Sequence, residues 1–234
     1  MKITRKQDCL EDLKHRILTL AIQPGADLDE AALAERYEIS RTPLREVFQR
    51  LAGAGFLTLA DNRGAKVASM GLGVMRTFFQ TAPLIYANIA RLAAEHRTPA
   101  QLDRLKNVQI AFAAAVAAQE AEAMALNNHV FHEIIGEMAH NTYLMASLRR
   151  LLIDHTRLGQ MFYRPASPAE NAAVLMASQQ HEAMIAAIAA QEAGIVADLT
   201  LQHWDLSRDR MERFVRPDPL PLDVIEFGEA RDAV

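Results

Sequence analysis

Along the N-terminal part of the chain, apolar residues recur at helical spacing between short polar breaks. Leu13, Ile17, Leu18 and Leu20 form a stripe that ends before "QPGADL", where Pro24 and Gly25 mark a stop. Leu33, Ala34 and Tyr37 predict a short second helix over "DEAALAERY", with Asp29 as its cap. Leu44, Val47, Phe48 and Leu51 stand at i, i+3, i+4 and i+7 and predict a third helix from about Pro43 to Ala52. Thr42 is the expected N-cap, Pro43 the first helical residue, and Glu46 falls in the first turn. The helix ends in "AGAG", and "FLTLADNRGAKVASM" then reads as two extended segments around a turn at Asp61–Gly64. Helix, helix, tight turn, helix and hairpin is the order of a winged helix-turn-helix.

"SMGLG" reads as a linker, and beyond it the pattern is helical almost throughout. Breaks near "HRTPAQ", "AAQEAE", "AHNTY", "RPASPAE" and "AQEAG" divide it into six or so helices, enough for a bundle with an interior cavity. The tail "RPDPLPLDVIEFGEARDAV" holds three prolines and is expected to run over the surface or to lack order. The expected fold is therefore mainly all-α, a winged helix-turn-helix followed by an antiparallel helical bundle. Its expected segments are 1–69 for DNA binding, 70–73 as linker, 74–215 for effector binding and dimerisation, and 216–234 as tail.

Composition narrows the class. Half of the 234 residues are hydrophobic, aromatics are few, and Ala, Leu, Met and Glu favour helix. No run of eighteen or more apolar residues suggests a membrane span, and the charged start argues against a secretory signal. One cysteine, Cys9, excludes an internal disulfide and a multi-cysteine zinc site. A cytoplasmic location is the expectation. Net charge is −4, so a basic-domain argument for nucleic acid fails; residues 1–69 carry eleven Lys/Arg against ten Asp/Glu. Any case for DNA rests on where the charges sit.

Arg41 and Arg45 flank the start of the third helix, against its dipole. The apolar stripe leaves Thr42, Arg45 and Gln49 on the outer face, so the helix could enter a major groove N-terminus first. A phosphate held by backbone N–H groups and Thr42 would then offset the arginines. A solvated helix whose arginines pair with Glu38 and Glu46 fits the segment equally well.

"ISRTPLREVFQRLAGAGFLTLADNRGAKV" resembles the DNA-binding signature of GntR-family transcription regulators, and "LDEAALAERYEI" is similar to that family's second helix. The resemblance covers roughly residues 8–69 and implies DNA contacts by Arg41, Thr42 and Arg45 with Arg63, Gly64 and Lys66 from the wing. Ala31 stands where relatives often carry an arginine, so one backbone contact is expected to be lost.

In the helical part, polar residues interrupt apolar stripes. Asn128 and His132 share a face with Met124, Phe131 and Ile135; His181 lies with Met184, Ile185 and Ile188; His203 lies with Val196, Leu199 and Leu206. Each histidine alone reads best as a hydrogen-bonded core residue, whereas together they could converge on a metal ion or an anionic ligand. The segment resembles the C-terminal ligand-binding (FCD-type) domain of the FadR-like branch, many of whose members hold a divalent metal. That resemblance implies ligands at Asn128, His132, His181 and His203, with Asn128 replacing the expected Asp. Loss of that charge should weaken hard divalent ions; zinc or nickel would suit the imidazoles best. Relatives often carry an Arg and a Glu near Ala82 and Tyr86, so Tyr86 and His155 are the expected pocket residues instead. Arg157 is expected at the surface, and His129 and His140 outward or terminal.

These readings converge on a ligand-responsive DNA-binding regulator. It would act as a homodimer on a pseudo-palindromic operator, with a small organic acid as effector. Two alternatives stand beside it: a metal-dependent enzyme carrying a DNA-binding module, and an architectural DNA-binding dimer without effector. Against the enzyme, Glu133 beside His132 should point about a hundred degrees away from the cluster.

Overall fold

The computed structural model describes residues 5–60 and 64–213. The N-terminal unit begins with α1 (Arg5–Leu18), whose Leu10, Leu13 and Ile17 are buried. β1 (Asp27–Leu28) follows, a two-residue strand that the apolar pattern is too short to reveal. α2 (Glu30–Arg36) is capped by Asp29, which accepts from the N–H groups of Ala31 and Ala32 at 2.8 and 3.0 Å. α3 (Arg41–Gly53) packs its Leu44, Val47, Phe48 and Leu51 stripe onto α1 and α2. β2 (Leu57–Ala60) and β3 (Gly64–Val67) form an antiparallel hairpin, and β1 adds to the free edge of β3 with Asp27 opposite Lys66. Helix, helix, helix and a small sheet make the expected winged helix-turn-helix; the turn at 61–63, with Arg63, lies outside the described residues.

α3 begins earlier than the sequence pattern implies. Ser40, not Thr42, occupies the N-cap position, and its side chain makes no capping bond. Pro43 is thus the third helical residue, where its missing N–H is still one the helix could not use. Glu46 lies beyond the first turn and pairs with Lys6 of α1.

Six long helices follow: α4 (Leu72–His96), α5 (Pro99–Ala118), α6 (Ala121–Met138), α7 (Thr142–Phe162), α8 (Pro168–Ala189) and α9 (Ala193–Arg213). Their starts obey local chemistry. Thr98 and Gln101 form a capping box before α5, Asn141 caps α7, and Ser167 caps α8 ahead of Pro168. α4 starts within the expected linker and is the central helix, packing against α6, α7, α8 and α9. Its Phe78, Tyr86 and Ile89 meet Phe131, Leu152, Ile188 and Trp204 in one apolar core. The prolines of the tail, 216–234, lie outside the described residues.

α7 departs from the rule that a helix buries one stripe. From Leu152 to Gln160 every residue is buried. The stripe with Leu148, Leu152, His155 and Leu158 faces the bundle, as its spacing implies; the opposite side faces the N-terminal unit. Ile153 joins that unit's core, and Gln160 donates to the carbonyl of Leu18 at 3.4 Å. Arg157, expected at the surface, is fully buried and donates to the carbonyl of Ala68 at 2.8 Å. Asp154 lies between two guanidiniums, pairing with Arg157 and, at 3.0 Å, with Arg150. Hydrophobic spacing reports only the face that meets the helix's own domain, so this second contact was invisible to it. His129 is likewise half-buried, not outward; its Nδ1 meets the Thr156 hydroxyl at 2.7 Å, while His140 is exposed as expected.

Gly55, at φ +89°, permits the close approach of the two units. A Cβ there would stand 2.5 Å from Cδ of Arg150. Removing Arg157 would leave Asp154 buried beside one half-exposed arginine and strand the Ala68 carbonyl. Breaking a buried pair costs roughly 3–5 kcal/mol. Arg157→Leu is therefore expected to lower the thermal midpoint by several degrees, whereas exposed Arg149→Leu should barely move it; equal midpoints in the two variants would show that Arg157 does not hold the units together.

Candidate functional site

Two groups of residues need separate description. The first is the outer face of α3. Arg41, Thr42, Arg45 and Gln49 are all exposed, and no acidic residue occupies the first turn. With no side chain capping it, the helix presents open N–H groups and partial positive charge beside two guanidiniums. Arg45 reaches Glu30 at 3.3 Å in place of the expected acidic partners; Glu38 pairs with Arg5. Such an exposed pair is worth at most about 1 kcal/mol, so a phosphate or base edge can draw the arginine away. On the wing, Gly64 adopts φ +78° and Lys66 is exposed, 3.1 Å from Asp27.

The second group lies inside the helical bundle. α6 brings Asn128 and His132, α7 His155, α8 His181 and α9 His203, and all five side chains are buried. One ring nitrogen from each of His132, His181 and His203 lies within 4.8 Å of the others, a grouping that could hold a metal ion. His181 stacks on Phe131 with ring centroids 3.9 Å apart, which fixes its plane. Nε2 of His132, Nε2 of His181 and Oδ1 of Asn128 have no hydrogen-bond partner among the described residues. Buried polar atoms without partners are costly. A cation is one partner that such buried imidazole nitrogens could take.

Neighbouring amides set the tautomers. The Gln109 amide nitrogen donates to the Ser178 carbonyl and meets its hydroxyl, both at 3.1 Å. Its oxygen therefore faces Nδ1 of His181 at 3.0 Å and accepts that proton, leaving Nε2 with a lone pair. The oxygen of Gln180 stands 3.0 Å from Nδ1 of His203, which leaves Nε2 as that ring's ligand atom. Sequence reasoning missed Gln109 and Gln180, because amides on helix faces carry no pattern of their own.

Tyr86 and His155, the expected pocket pair, share a hydrogen bond of 2.7 Å between the phenol oxygen and Nδ1. His155 stands outside the three-histidine grouping but close by, its ring centroid 5.5 Å from that of His132. Beside it lies a cavity of about 10 Å³ lined by His155, His203, Ser207 and Tyr163 among others, room for one water-sized guest. Trp204 also escaped sequence reasoning. Its buried indole N–H has no partner among the described residues, and its ring packs 6.0 Å from Tyr86 and 5.8 Å from His155.

Burial keeps all four imidazoles neutral. Desolvation, reinforced by the neighbouring rings, pushes His132 and His181 well below the ordinary value of 6.5. It lowers His155 to about 3 and His203 to about 4. The Tyr86 phenol is raised well above its ordinary value by desolvation and by Asp154. In the unfolded chain the same histidines would take up protons near 6.5, so stability is full above that pH. It is lost as pH falls through 6.5 toward the lower folded values, by about 1.4 kcal/mol per pH unit for each histidine. Chelator-treated protein is expected to melt at markedly lower temperature at a pH of about 5.5 than at about 7.5, with a shallower dependence in His155→Gln. A melting temperature indifferent to pH would mean that these rings are not held neutral.

Comparison with known proteins identifies both halves. Residues 6–67 match the family described as bacterial regulatory proteins, gntR family, and residues 80–206 match the FCD domain. The HTH-type transcriptional repressor RspR of Escherichia coli is 24% identical over 191 residues, 82% of each chain. LutR of Bacillus subtilis, an HTH-type transcriptional regulator, is 25% identical over 206 residues, 76% of this chain and 90% of its own. Among solved structures, E. coli McbR/YncC superposes with a TM-score of 0.77 at 20% identity, covering 92% of this chain and all of that one, a likeness of fold. Among the described residues no helix is long and apolar enough to cross a membrane. The chain belongs to the GntR family of bacterial transcription regulators, with a DNA-binding helix-turn-helix and an FCD effector-binding domain.

Proposed function

We propose that this regulator reads a pseudo-palindromic operator as a homodimer and adjusts its grip according to what occupies the imidazole chamber. The observation that carries this reading is α7, whose one side holds His155 in the chamber while the other holds the DNA-binding unit through Ile153, Arg157 and Gln160. A guest that moves α7 has a direct mechanical route to the recognition helix.

At the DNA end, Arg41, Thr42, Arg45 and Gln49 of α3 meet phosphate and base edges, and Gly64 and Lys66 form the wing contact together with Arg63, which lies outside the described residues. The open α3 N-terminus supports the phosphate contact. Leu72, Val74 and Leu84 on α4 are exposed apolar side chains that a second copy would cover. The division of labour follows the two units: residues 1–69 bind DNA, 70–73 join, and 74–215 sense and dimerise.

At the sensing end, His132, His181 and His203, with Asn128 beside them, hold a divalent transition metal, zinc or nickel by the chemistry of the donors. When bound, the metal offers a small carboxylate an anchor. Gln109 and Gln180 orient the rings, and Tyr86, His155 and Trp204 border the effector. Glu133, the carboxylate adjoining His132, is 3.2 Å from Arg149 in a partly exposed pair and is no general base for the cluster.

Fluorescence anisotropy on fragments of the chain's own upstream region, at fixed salt, tests the DNA half. Arg45→Ala should weaken binding roughly tenfold or more, the scale of one base contact. Unchanged affinity in that variant would remove α3 from the recognition role.

A further inference from the structure

A cleft of about 700 Å³ lies between the N-terminal unit and the FCD domain. Three helices frame it. Glu11 to Leu18 of α1, Leu126 to Glu133 of α6 and Ala146 to Ile153 of α7 each turn four residues toward it, at i, i+3, i+4 and i+7. The last turn of α3 and the chain onward to Phe56 close another side. The volume is that of a site for an organic molecule, and clefts between domains are favoured places for such sites. The imidazole chamber, with its cavity of about 10 Å³, has no room for a guest of that size.

The lining divides by chemistry. Leu18, Phe56, Leu126 and Ile153 belong to one apolar cluster and give the cleft a hydrophobic wall. Positive charge comes from Lys14 of α1 and from Arg149 and Arg150 of α7, against the carboxylates of Glu11 and Glu133. Glu11 meets Lys14 at 3.2 Å and Glu133 meets Nε of Arg149 at 3.2 Å, both in pairs open to solvent. Arg150 gives one Nη to Asp154. Among the described residues, hydrogen bonding engages Arg149 through Nε alone, so its Nη groups are open donors. His129, on the α6 wall, gives its Nδ1 proton to Thr156, whose own hydroxyl donates to Leu152. Burial lowers the pKa of that ring, which therefore adds no charge. Cations in excess with donors to spare suit an anion, and the hydrophobic wall suits an apolar body attached to it.

We propose that this cleft is a ligand site separate from the imidazole chamber, that it takes an organic anion with an apolar body, and that its occupant clamps the N-terminal unit to the FCD domain. Lys14 and Arg149 supply positive charge, one from each unit, and the body lies against the wall of Leu18, Phe56, Leu126 and Ile153. Because the walls come from both units, the ligand binds only their docked arrangement and stabilises it by mass action. α3 runs as one helix from the cleft to its exposed Arg41 and Arg45, so an occupant bears on that helix directly. Nothing in this route requires a metal.

Fluorescence titration of the full chain with anilinonaphthalene sulfonate tests this. The dye joins a sulfonate to two aromatic rings and brightens when it leaves water; N-phenyl-naphthylamine is the same body without the charge. A saturable site for the anionic dye is expected in the natural protein, with the uncharged dye about tenfold or more weaker, the scale of a charge-assisted hydrogen bond. Lys14→Gln and Arg149→Gln, both at partly exposed positions, should each weaken the anionic dye about fivefold and leave the uncharged dye unchanged. Val130→Glu, which adds a carboxylate to the α6 wall at a solvent-accessible position, should weaken the anionic dye further. Arg45→Ala, at the far end of α3, should change nothing. Absence of saturable binding in the natural protein, or equal affinity for the two dyes, overturns the proposal. Unchanged affinity in Arg149→Gln overturns it too, and unchanged affinity in Lys14→Gln removes the clamp, since the N-terminal unit would then take no part. A loss in Arg45→Ala equal to that in Arg149→Gln would put the dye on the outer face of α3 and likewise overturn it.

Discussion

The buried ion pair of Arg157 and Asp154 on α7 is the interaction on which the arrangement of the two units depends. A guanidinium with no solvent exposure is tolerated because Asp154 neutralises it and the Ala68 carbonyl accepts from it. That carbonyl belongs to the segment joining β3 to α4. Arg150 holds the second carboxylate oxygen and presses against Gly55, at the end of α3. One helix of the FCD domain therefore grips both the exit from β3 and the end of α3.

The same helix forms a wall of the sensing chamber. His155 follows Asp154 directly, so the Tyr86 hydrogen bond and the Arg157 pair lie on neighbouring residues pointing to different sides. Thr156 continues the pattern, its hydroxyl donating to Leu152 and meeting His129 of α6. Interiors are close-packed and respond to a guest by switching arrangement, not by yielding smoothly. A rotation of α7 large enough to admit an anion beside His155 would disturb the contacts that hold Ala68 and Gly55.

Much of this was legible in the sequence, for physical reasons that can be named. The helical stripes of α1, α3, α6, α8 and α9 were readable because each buries one face, α7 showed only the stripe it turns to the bundle, and the helix breaks were readable because Pro, Gly and capping residues announce them. The convergence of His132, His181 and His203 followed from three polar residues each interrupting such a stripe, and was sharpened by the family resemblance. What escaped had no periodic signature. β1 is two residues long and owes its place to β3. The α3 cap moved from Thr42 to Ser40 because no side chain caps it at all. Arg157 looked like a surface residue because, besides Asp154 on its own helix, it reaches the Ala68 carbonyl 89 positions earlier, in the segment between β3 and α4. Gln109 and Gln180 matter only through the rings they orient.

The central claim is that occupancy of the chamber reaches the DNA-binding unit through α7. Hydrogen–deuterium exchange of the full chain, with and without Ni²⁺ and formate, addresses it most directly. The account predicts altered exchange in α6, α8 and α9 around the histidines, and together with it in the second half of α7 and in the segment from β3 to the start of α4. Changes confined to α6, α8 and α9, with α7 and the Ala68 segment exchanging as before, would contradict it.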